Sequence, residues 1–410
     1  MEEVGEQTSD ANVKAGDVLW TPSAERIAGA NVTAFQQWLR RERGLQFDDY
    51  GALWRWSVQD LEAFWQALWD YFRIEAAAPH SRVLASRTMP GAQWFVGARL
   101  NYARHVLRAE SAGGDALLFA SEGQPLRSLS WEALGNRVRM LATRMREMGI
   151  QPGDRVVAVL PNVPEAVIAL LATTAIGAIW AVCSPDFGVR GMLDRLAALR
   201  PKLLICIDGY RYGGKEFDRR REMDEVIGGL PDLQQVILLS YLHPESPAAL
   251  GAATIAWSEI FDRPPIRAAE FNFEEVPFDH PLWILFSSGT TGLPKPIVHG
   301  HGGILLELQK NGAFHFDLHA GDRLLFFTTS GWMLWNFIAS TPLLGAVPVL
   351  YDGHPAYPQP DLLWKLAQDA GAALFGASPA YVEQQSKAGI VPGSRYNLAA
   401  LRSITLAGYA

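Results

Sequence analysis

The segment from 286 to 295 reads Phe286-Ser287-Ser288-Gly289-Thr290-Thr291-Gly292-Leu293-Pro294-Lys295. The apolar run at 281–286 is typical of a buried strand. The glycines that follow let the backbone turn so that several N–H groups approach one point, while four hydroxyls and Lys295 add further donors. This chemistry suits a polyphosphate, although the same residue types are also common in a solvated turn. A Walker P-loop does not fit, because only two residues separate Gly289 from Gly292 and Lys295 lies three residues further on.

The composition limits the class of protein. The chain has 410 residues, of which 49% are hydrophobic and 19% are charged, and this length is typical of two or three domains or subdomains. The net charge of −7 argues against nucleic acid as a partner, because binding to a phosphate backbone needs concentrated lysine and arginine. Cys183 and Cys206 are too few for a disulfide scaffold, and the acidic start of the chain lacks the parts of a signal peptide. These features predict a cytoplasmic protein.

One segment is apolar enough to be considered as a membrane span. Residues 166–183 carry no charge, and their number is at the lower limit of a transmembrane length. Pro164 and Glu165 are typical of a helix start, Gly177 interrupts the segment, and 178–183 has the pattern of a strand. A buried helix–strand unit explains this pattern better than a span, so we predict no membrane partner.

Helix and strand patterns alternate from about residue 103 onward. Strands are predicted at 154–160, 178–183, 203–207, 236–239, 281–286, 322–327, 346–351 and 372–379, and helices at 130–148, 164–176, 189–199 and 217–228. Such alternation predicts an α/β fold, with mixed or parallel sheets flanked by helices in layered subdomains. In these folds ligands bind at the carboxyl ends of strands, where the loop at 287–295 and the segment 328–336 would both lie.

The first hundred residues have a different character, since they hold seven of the 14 tryptophans. Asn31 would cap one helix, and a second helix is predicted to start at Ser57 and to carry an apolar stripe over 61–72. Such a stripe could form a ligand box, but at helical spacing it is more often packing. We predict a disordered tail over 1–18 and a helical extension over 19–102 that docks on the main body.

A pair of histidines after the loop raises the question of a metal site. His299 and His301 lie at i and i+2, but a pair without a third ligand nearby is a weak metal pattern. We therefore predict no protein metal ligands.

The loop at 287–295 resembles the phosphate-loop signature of the adenylate-forming superfamily, which contains acyl-CoA synthetases, luciferases and peptide-synthetase adenylation domains. Its pattern is Ser-Gly-Ser/Thr-Thr-Gly-x-Pro-Lys, commonly followed by glycine, where this chain has Pro296 and so lacks one backbone donor. Other segments resemble the members that activate acetate and acetoacetate, and two of them are most similar to the acetoacetate-activating members. The resemblance covers about 19 to 404 and rests on residues 19–23, 97–102, 184–189, 295–303, 329–336 and 351–353.

The resemblance implies the large N-terminal domain of an adenylate-forming enzyme and an AMP-forming acid–thiol ligase. A carboxylate, here acetoacetate, would attack the α-phosphorus of ATP in the presence of Mg²⁺ to give an acyl adenylate and pyrophosphate. The CoA sulfur would then displace AMP to form the thioester. By motif match, the ATP phosphates would be held by Ser287, Ser288, Gly289, Thr290, Thr291, Gly292 and Lys295. The acyl pocket would be lined by Trp332, Met333, Leu334 and Trp335, and CoA would be contacted by Arg211 and Lys215.

Several of these assignments have alternatives. Trp332 and Trp335 could be core packing, and 211–215 could be a solvated basic turn. An apolar wall does not by itself select acetoacetate over acetate, because one methylene supplies only about 1–3 kcal/mol of discrimination. An acetyl-CoA or other short-chain acyl-CoA synthetase therefore stays open, and the sequence makes no prediction of the oligomeric state.

The family continues beyond the point at which this sequence stops. After Ile404 the family has an adenine-contacting Gly-Ser-Thr-Gly-like loop, a Tyr/Phe-Gly-x-Thr-Glu motif, a ribose-binding aspartate and a mobile C-terminal domain with the adenylating lysine. This chain reads Thr405-Leu406-Ala407-Gly408-Tyr409-Ala410. The expectation is thus an incomplete AMP-binding domain over 103–410 without the C-terminal lid, with impaired ligase activity and with its catalytic residue unknown.

Two functions of other classes stay open as well. One is a non-catalytic nucleotide- or acyl-binding remnant, which would bind ATP without pyrophosphate exchange. The other is an unrelated nucleotide hydrolase, which would hydrolyse ATP without a carboxylate substrate.

Overall fold

The computed structural model describes residues 14–245, 250, 254–287 and 292–408. The predicted disordered tail falls largely on residues 1–13, which lie outside the described residues. Over the described ranges, no helix is long and apolar enough to cross a membrane.

The chain alternates between strands and helices. The strands are β1 (Arg82–Ser86), β2 (Gln93–Val96), β3 (Arg99–Leu100), β4 (Asp115–Ser121), β5 (Gln124–Ser130), β6 (Arg155–Val159), β7 (Ile179–Cys183), β8 (Leu203–Ile207), β9 (Gly209–Tyr212), β10 (Lys215–Asp218), β11 (Gln235–Leu239), β12 (Thr254–Ala256), β13 (Val276–Pro277), β14 (Pro281–Ser287), β15 (Lys295–Gly300), β16 (Arg323–Phe326), β17 (Val347–Asp352), β18 (Leu374–Ala377) and β19 (Ser403–Leu406). The helices are α1 (Ala24–Gly29), α2 (Asn31–Arg43), α3 (Tyr50–Gln59), α4 (Leu61–Tyr71), α5 (Tyr102–Leu107), α6 (Trp131–Glu147), α7 (Pro164–Ala175), α8 (Val189–Leu196), α9 (Arg220–Gly228), α10 (His301–Lys310), α11 (Met333–Ser340), α12 (Leu362–Ala370), α13 (Pro379–Lys387) and α14 (Pro392–Arg395).

Two large sheets form the body. The first has seven strands in the order β12-β11-β8-β6-β7-β14-β15, and its neighbours run parallel except for the last pair. The second has six strands in the order β19-β18-β16-β17-β4-β5, and here only β4 and β5 are antiparallel. The predicted α/β class with mixed or parallel sheets is confirmed.

The centre of the first sheet shows why the apolar segment at 166–183 is not a membrane span. α7 is buried along nearly its whole length between β6 and β7, and all residues of β7 are buried. A parallel strand that is covered by helices on both faces has no residue facing water, so its sequence is a continuous apolar run. The predicted helix–strand unit is confirmed.

The N-terminal helices pack through their aromatic side chains onto the segment after α10 and onto β2. Phe35 lies with its ring centroid 4.9 Å from that of Phe314, and Trp69 stacks on Phe95 at 4.7 Å. Asn31 is not the predicted cap, because α2 begins at that residue, and its backbone N–H donates to Asp317 Oδ1 at 2.8 Å. This partner is distant in the sequence, so the local pattern could not reveal it.

The helix predicted from Ser57 is in fact two helices. α3 ends at Gln59 and α4 begins at Leu61. The carboxylate of Asp60 between them accepts a hydrogen bond from the backbone N–H of Ala63. An aspartate N-cap of this kind starts a new helix, which is why the break falls at Asp60.

Candidate active site

The carboxyl ends of parallel strands from both large sheets meet around one cavity. It has a volume of about 260 Å³. Its walls come from the residues that end or follow β6, β7, β16 and β17, together with two tyrosines of β9: Pro161, Asn162, Ser184, Pro185, Asp186, Tyr210, Tyr212, Phe327, Thr328, Thr329, Tyr351, Asp352 and Gly353. Ligands of open α/β sheets bind at this kind of edge.

The predicted phosphate loop connects β14 and β15, next to β7 in the first sheet. Ser287 and Lys295 lie opposite each other at the base of this hairpin. Gly292 has a φ of +110°, a backbone conformation that favours glycine. Ser288, Gly289, Thr290 and Thr291, which were predicted to complete the loop, lie outside the described residues.

The departure from the family pattern at Pro296 has a structural reason. Pro296 lies in β15, which is the edge strand of the seven-stranded sheet. Proline lacks a backbone N–H and is tolerated in sheets at such edges. The substitution therefore fits the strand in which it occurs.

The segment 328–336 is tied to the end of β6 by Asn162, a residue that our sequence reasoning missed. Its Oδ1 accepts a hydrogen bond of 3.0 Å from the indole Nε1 of Trp335, and its Nδ2 donates to the carbonyl oxygen of Tyr351 at 3.4 Å. The hydroxyl of Ser330 donates to the carbonyl oxygen of Leu160. The sequence signal was a polar residue two positions after the strand predicted at 154–160.

The four residues predicted for the acyl pocket fall in different environments. Trp335 is fully buried, whereas the side chains of Trp332 and Met333 are 66% and 47% exposed. Leu334 is partly buried against the main core. Among the described residues, none of these four lines the cavity. The structure thus places Trp335 in the core and the other three at the start of α11.

Arg211 and Lys215 lie on a hairpin that the sequence did not predict. β9 and β10 pair antiparallel around a turn at Gly213 and Gly214, which have φ values of +62° and +77°. The predicted helix at 217–228 is shorter because α9 starts at Arg220, and Phe217 instead stacks on Tyr210 across the hairpin. A Gly-Gly pair between strand-like residues is the hairpin signal that was available.

The hairpin lies at the cavity. Tyr212, between Arg211 and the turn, lines the wall. The guanidinium of Arg211 forms an exposed ion pair with Glu216 at 2.7 Å. Lys215 pairs with Tyr212 in the strand register.

Asp352 is the titratable group in the cavity wall that burial affects most clearly. Burial raises the pKa of its carboxyl to about 7, although a hydrogen bond from Tyr241 acts in the opposite direction, and the neighbouring charge of Glu122 raises it further. The Tyr241 hydroxyl donates to Asp352 Oδ2 at 2.7 Å, and burial also raises the pKa of that hydroxyl. This carboxyl can change its charge near neutral pH.

His299 and His301 have separate partners. The Nδ1 of His299 accepts a hydrogen bond from the indole of Trp283 at 2.9 Å, and that of His301 accepts from the backbone N–H of Tyr102 at 3.2 Å. Burial lowers the pKa of both imidazoles, that of His301 to about 3. Within the described part of the chain, no group of three or more His, Cys, Asp or Glu residues could hold a metal ion.

Comparison with known proteins defines the class. Residues 108–410 match the family of AMP-binding enzymes, and residues 50–106 match the N-terminus of acetyl-coenzyme A synthetases. The chain belongs to the AMP-binding enzyme family. The predicted boundaries of the helical extension, 19–102, and of the AMP-binding domain, 103–410, stay predictions.

Particular relatives narrow this class. Acetoacetyl-coenzyme A synthetase of Rhizobium meliloti (strain 1021) is 39% identical over 394 residues, covering 95% of this chain and 59% of that protein. The acetoacetyl-CoA synthetase of Mus musculus is 37% identical over 399 residues, with the same coverage. The solved acetoacetyl-CoA synthetase from Streptomyces lividans shares a TM-score of 0.90 and 46% identity over 94% of this chain and 59% of that one. The resemblance predicted from the motifs is confirmed, and the chain spans about 59% of the length of these relatives.

Proposed function

We propose that this chain supplies the ATP-, acyl- and CoA-binding part of an AMP-forming acid–thiol ligase that acts on acetoacetate. The observation that carries this proposal is the likeness to the Streptomyces lividans acetoacetyl-CoA synthetase, at 46% identity and a TM-score of 0.90 over 94% of this chain. Such a ligase joins a carboxylate to the thiol of CoA through an acyl adenylate.

The β14–β15 hairpin would hold the phosphates of ATP. Ser287 and Lys295 face each other at its base, so a hydroxyl and an ammonium group flank the entrance to the loop 288–294. A lysine ammonium acts on phosphate as a compact point charge. Mg²⁺ would arrive with the nucleotide, because this ion usually keeps phosphate oxygens and water among its ligands.

The cavity at the carboxyl ends of the strands would take the arm of CoA that carries the thiol. It extends from Tyr212 of the β9–β10 hairpin to Thr328 and Thr329 after β16. Arg211 and Lys215 on that hairpin would face the nucleotide part of CoA, which is anionic. The ion pair of Arg211 with Glu216 is exposed, so it costs little to exchange for a phosphate.

Trp332, Met333 and Leu334 would form the acyl pocket at the start of α11. Trp335 would act differently, because its indole is buried and bound to Asn162. It would fix the start of α11 rather than contact the acyl group.

Other acyl substrates remain an alternative. A malonamoyl-CoA synthetase of Penicillium aethiopicum is 34% identical over 419 residues. A sequence identity of this size is therefore also found with a relative that is named for a different acid. Acetate and other short acids are therefore the comparison substrates.

The test is ATP–pyrophosphate exchange with acetoacetate, and with acetate as the comparison, in a fusion of this chain with the remaining C-terminal part of the Streptomyces lividans acetoacetyl-CoA synthetase, of which this chain covers 59%. Faster exchange with acetoacetate than with acetate is expected, and the reverse order would assign a different acyl substrate. ATP binding in a calorimetric titration without exchange would favour the non-catalytic binding module instead. ATP hydrolysis that is independent of any carboxylate would favour the hydrolase.

A cytoplasmic location is part of the proposal. Cys183 and Cys206 are both unpaired and buried. Free thiols of this kind persist in a reducing compartment. Fractionation of cells that express the tagged chain would test it.

A further inference from the structure

We propose that Glu122 is a positioning residue for CoA, because it fixes the hairpin that carries Arg211 and Lys215. This inference rests on the CoA site of the proposed function. Glu122 follows β4 in the six-stranded sheet, whereas the β9–β10 hairpin follows β8 of the seven-stranded sheet. The carboxylate of Glu122 therefore connects the end of a strand in the six-stranded sheet to a hairpin that follows a strand of the seven-stranded sheet.

The carboxylate of Glu122 accepts short hydrogen bonds from the hairpin turn and from the segment after β17. Its Oε1 accepts the backbone N–H of Gly213 at 2.6 Å and that of His354 at 2.7 Å. Its Oε2 accepts the backbone N–H of Gly214 at 2.8 Å. Hydrogen bonds to a carboxylate are roughly twice as strong as those between neutral groups, so these three bonds hold the hairpin turn against the segment after β17.

The surrounding backbone is shaped to allow this approach. A Cβ atom on Gly353 would lie 2.5 Å from Cγ of Glu122, and one on Gly214 would lie 2.4 Å from the hydroxyl of Tyr357. Real Cβ contacts are not this short. A side chain at either glycine would therefore push the hairpin turn, or the segment after β17, away from the carboxylate of Glu122. Glu122 itself is only 9% exposed. The arrangement is thus a closely packed junction rather than a surface contact.

The position of the junction explains its effect on CoA. Arg211 and Lys215 lie on the two strands that leave the turn held by Glu122, and Tyr212 beside the turn lines the cavity. Without the carboxylate the junction loses these three hydrogen bonds, and the turn keeps the ring contact of Tyr212 with His354. The hairpin that carries both cations beside the cavity is then held less firmly. β14, which leads into the predicted phosphate loop, is separated from β8 by β6 and β7 in the sheet. The effect should therefore fall on CoA and not on ATP.

The variants Glu122→Ala and Glu122→Gln, with Asp154→Asn as a matched control, test this assignment. Asp154 is also buried and also accepts a backbone N–H, that of Gln151, but it precedes β6 and so lies at the opposite edge of the sheet from the cavity. Calorimetric titrations with CoA and with ATP, together with thermal melting, are the measurements.

For Glu122→Ala we expect the Kd of CoA to rise about tenfold, which corresponds to about 1.4 kcal/mol, while the Kd of ATP changes less than about twofold. Glu122→Gln should raise the Kd of CoA by a smaller factor, because its one amide oxygen still accepts hydrogen bonds. Asp154→Asn should leave the Kd of CoA unchanged. If Glu122→Ala fails to fold, Glu122→Gln carries the test.

The outcomes separate this inference from the proposed function. Equal loss of CoA and ATP binding, or a CoA affinity like that of the Asp154→Asn control, would overturn the positioning role while leaving the proposed function standing. A wild-type chain that binds ATP but not CoA would instead refute the CoA site and, with it, this inference.

Discussion

Replacing Asp352 by asparagine should remove a pH dependence of stability that this carboxyl creates. In the folded chain the pKa of Asp352 is raised to about 7 by burial, compared with about 3.9 for an exposed aspartate. Between these two values the folded state holds more protons than the unfolded state, so the free energy of unfolding falls as the pH rises from about 4 to about 7. A difference of about three pKa units corresponds to about 4 kcal/mol.

Urea unfolding of the wild-type chain and of Asp352→Asn between pH 4.5 and 8.5 measures this effect. Asparagine keeps an oxygen that can accept the hydrogen bond of Tyr241, but it cannot become charged. The variant should therefore gain stability relative to the wild-type chain as the pH rises, and the difference should become constant only above about pH 8, where a carboxyl with a pKa of about 7 is ionised. A difference that stays constant over the whole range would show that Asp352 does not titrate there, and would refute the reasoning.

Asp361→Asn serves as the control of opposite sign. Burial raises the pKa of Asp361, but the hydrogen bonds from Arg395 and Tyr396 outweigh burial and lower it overall. The charged carboxylate of Asp361 therefore stabilises the folded chain at neutral pH. This stabilisation is lost only when the pH falls below the pKa of an exposed aspartate and through the lowered pKa of Asp361. Between pH 4.5 and 8.5 the difference between this variant and the wild-type chain should not change.

Two further variants test other parts of the site. Asn162→Ala should lower the free energy of unfolding by about 1–3 kcal/mol, because it leaves the buried indole N–H of Trp335 without its acceptor. A double-mutant cycle with Trp335→Phe in urea should show coupling, and strictly additive losses would contradict this contact. Lys295→Met should raise the Kd of ATP roughly 10–150-fold, as expected for a lost hydrogen bond of about 1.5–3 kcal/mol to a charged group. Lys387 on α13 forms an exposed ion pair with Glu383, so Lys387→Met should not change the Kd of ATP. Equal affinities for the two variants would rule out a phosphate role for Lys295.

The parallel strands could be predicted from the sequence because burial on both faces leaves a local signal. β8 lies at Leu203–Ile207, as predicted, and every residue in it is buried. At 209–218 we considered only a basic turn over 211–215 and a helix that begins at 217, so the two short strands on either side of Gly213 and Gly214 were not predicted. The partners of Glu122 at 213, 214 and 354 are distant in the sequence, so no local pattern could identify that carboxylate.

The wall of the cavity proposed for an anionic ligand contains the carboxylates of Asp186 and Asp352, and Glu122 binds the hairpin whose Tyr212 lines the same wall. Glu122 and Asp352 differ from an exposed acid in their surroundings. The charge of Glu122 is satisfied by three backbone N–H groups. Asp352, with a pKa raised to about 7, is uncharged for a substantial fraction of the time at neutral pH. Neither carboxylate therefore opposes an anion as strongly as an exposed acid would. Glu122 binds the turn of the separate two-stranded sheet that β9 and β10 form, and Asp352 binds Tyr241, which follows β11 of the seven-stranded sheet. The two carboxylates thus attach the ends of β4 and β17 to the β9–β10 hairpin and to the segment after β11, and both attachments involve residues in or next to the cavity wall.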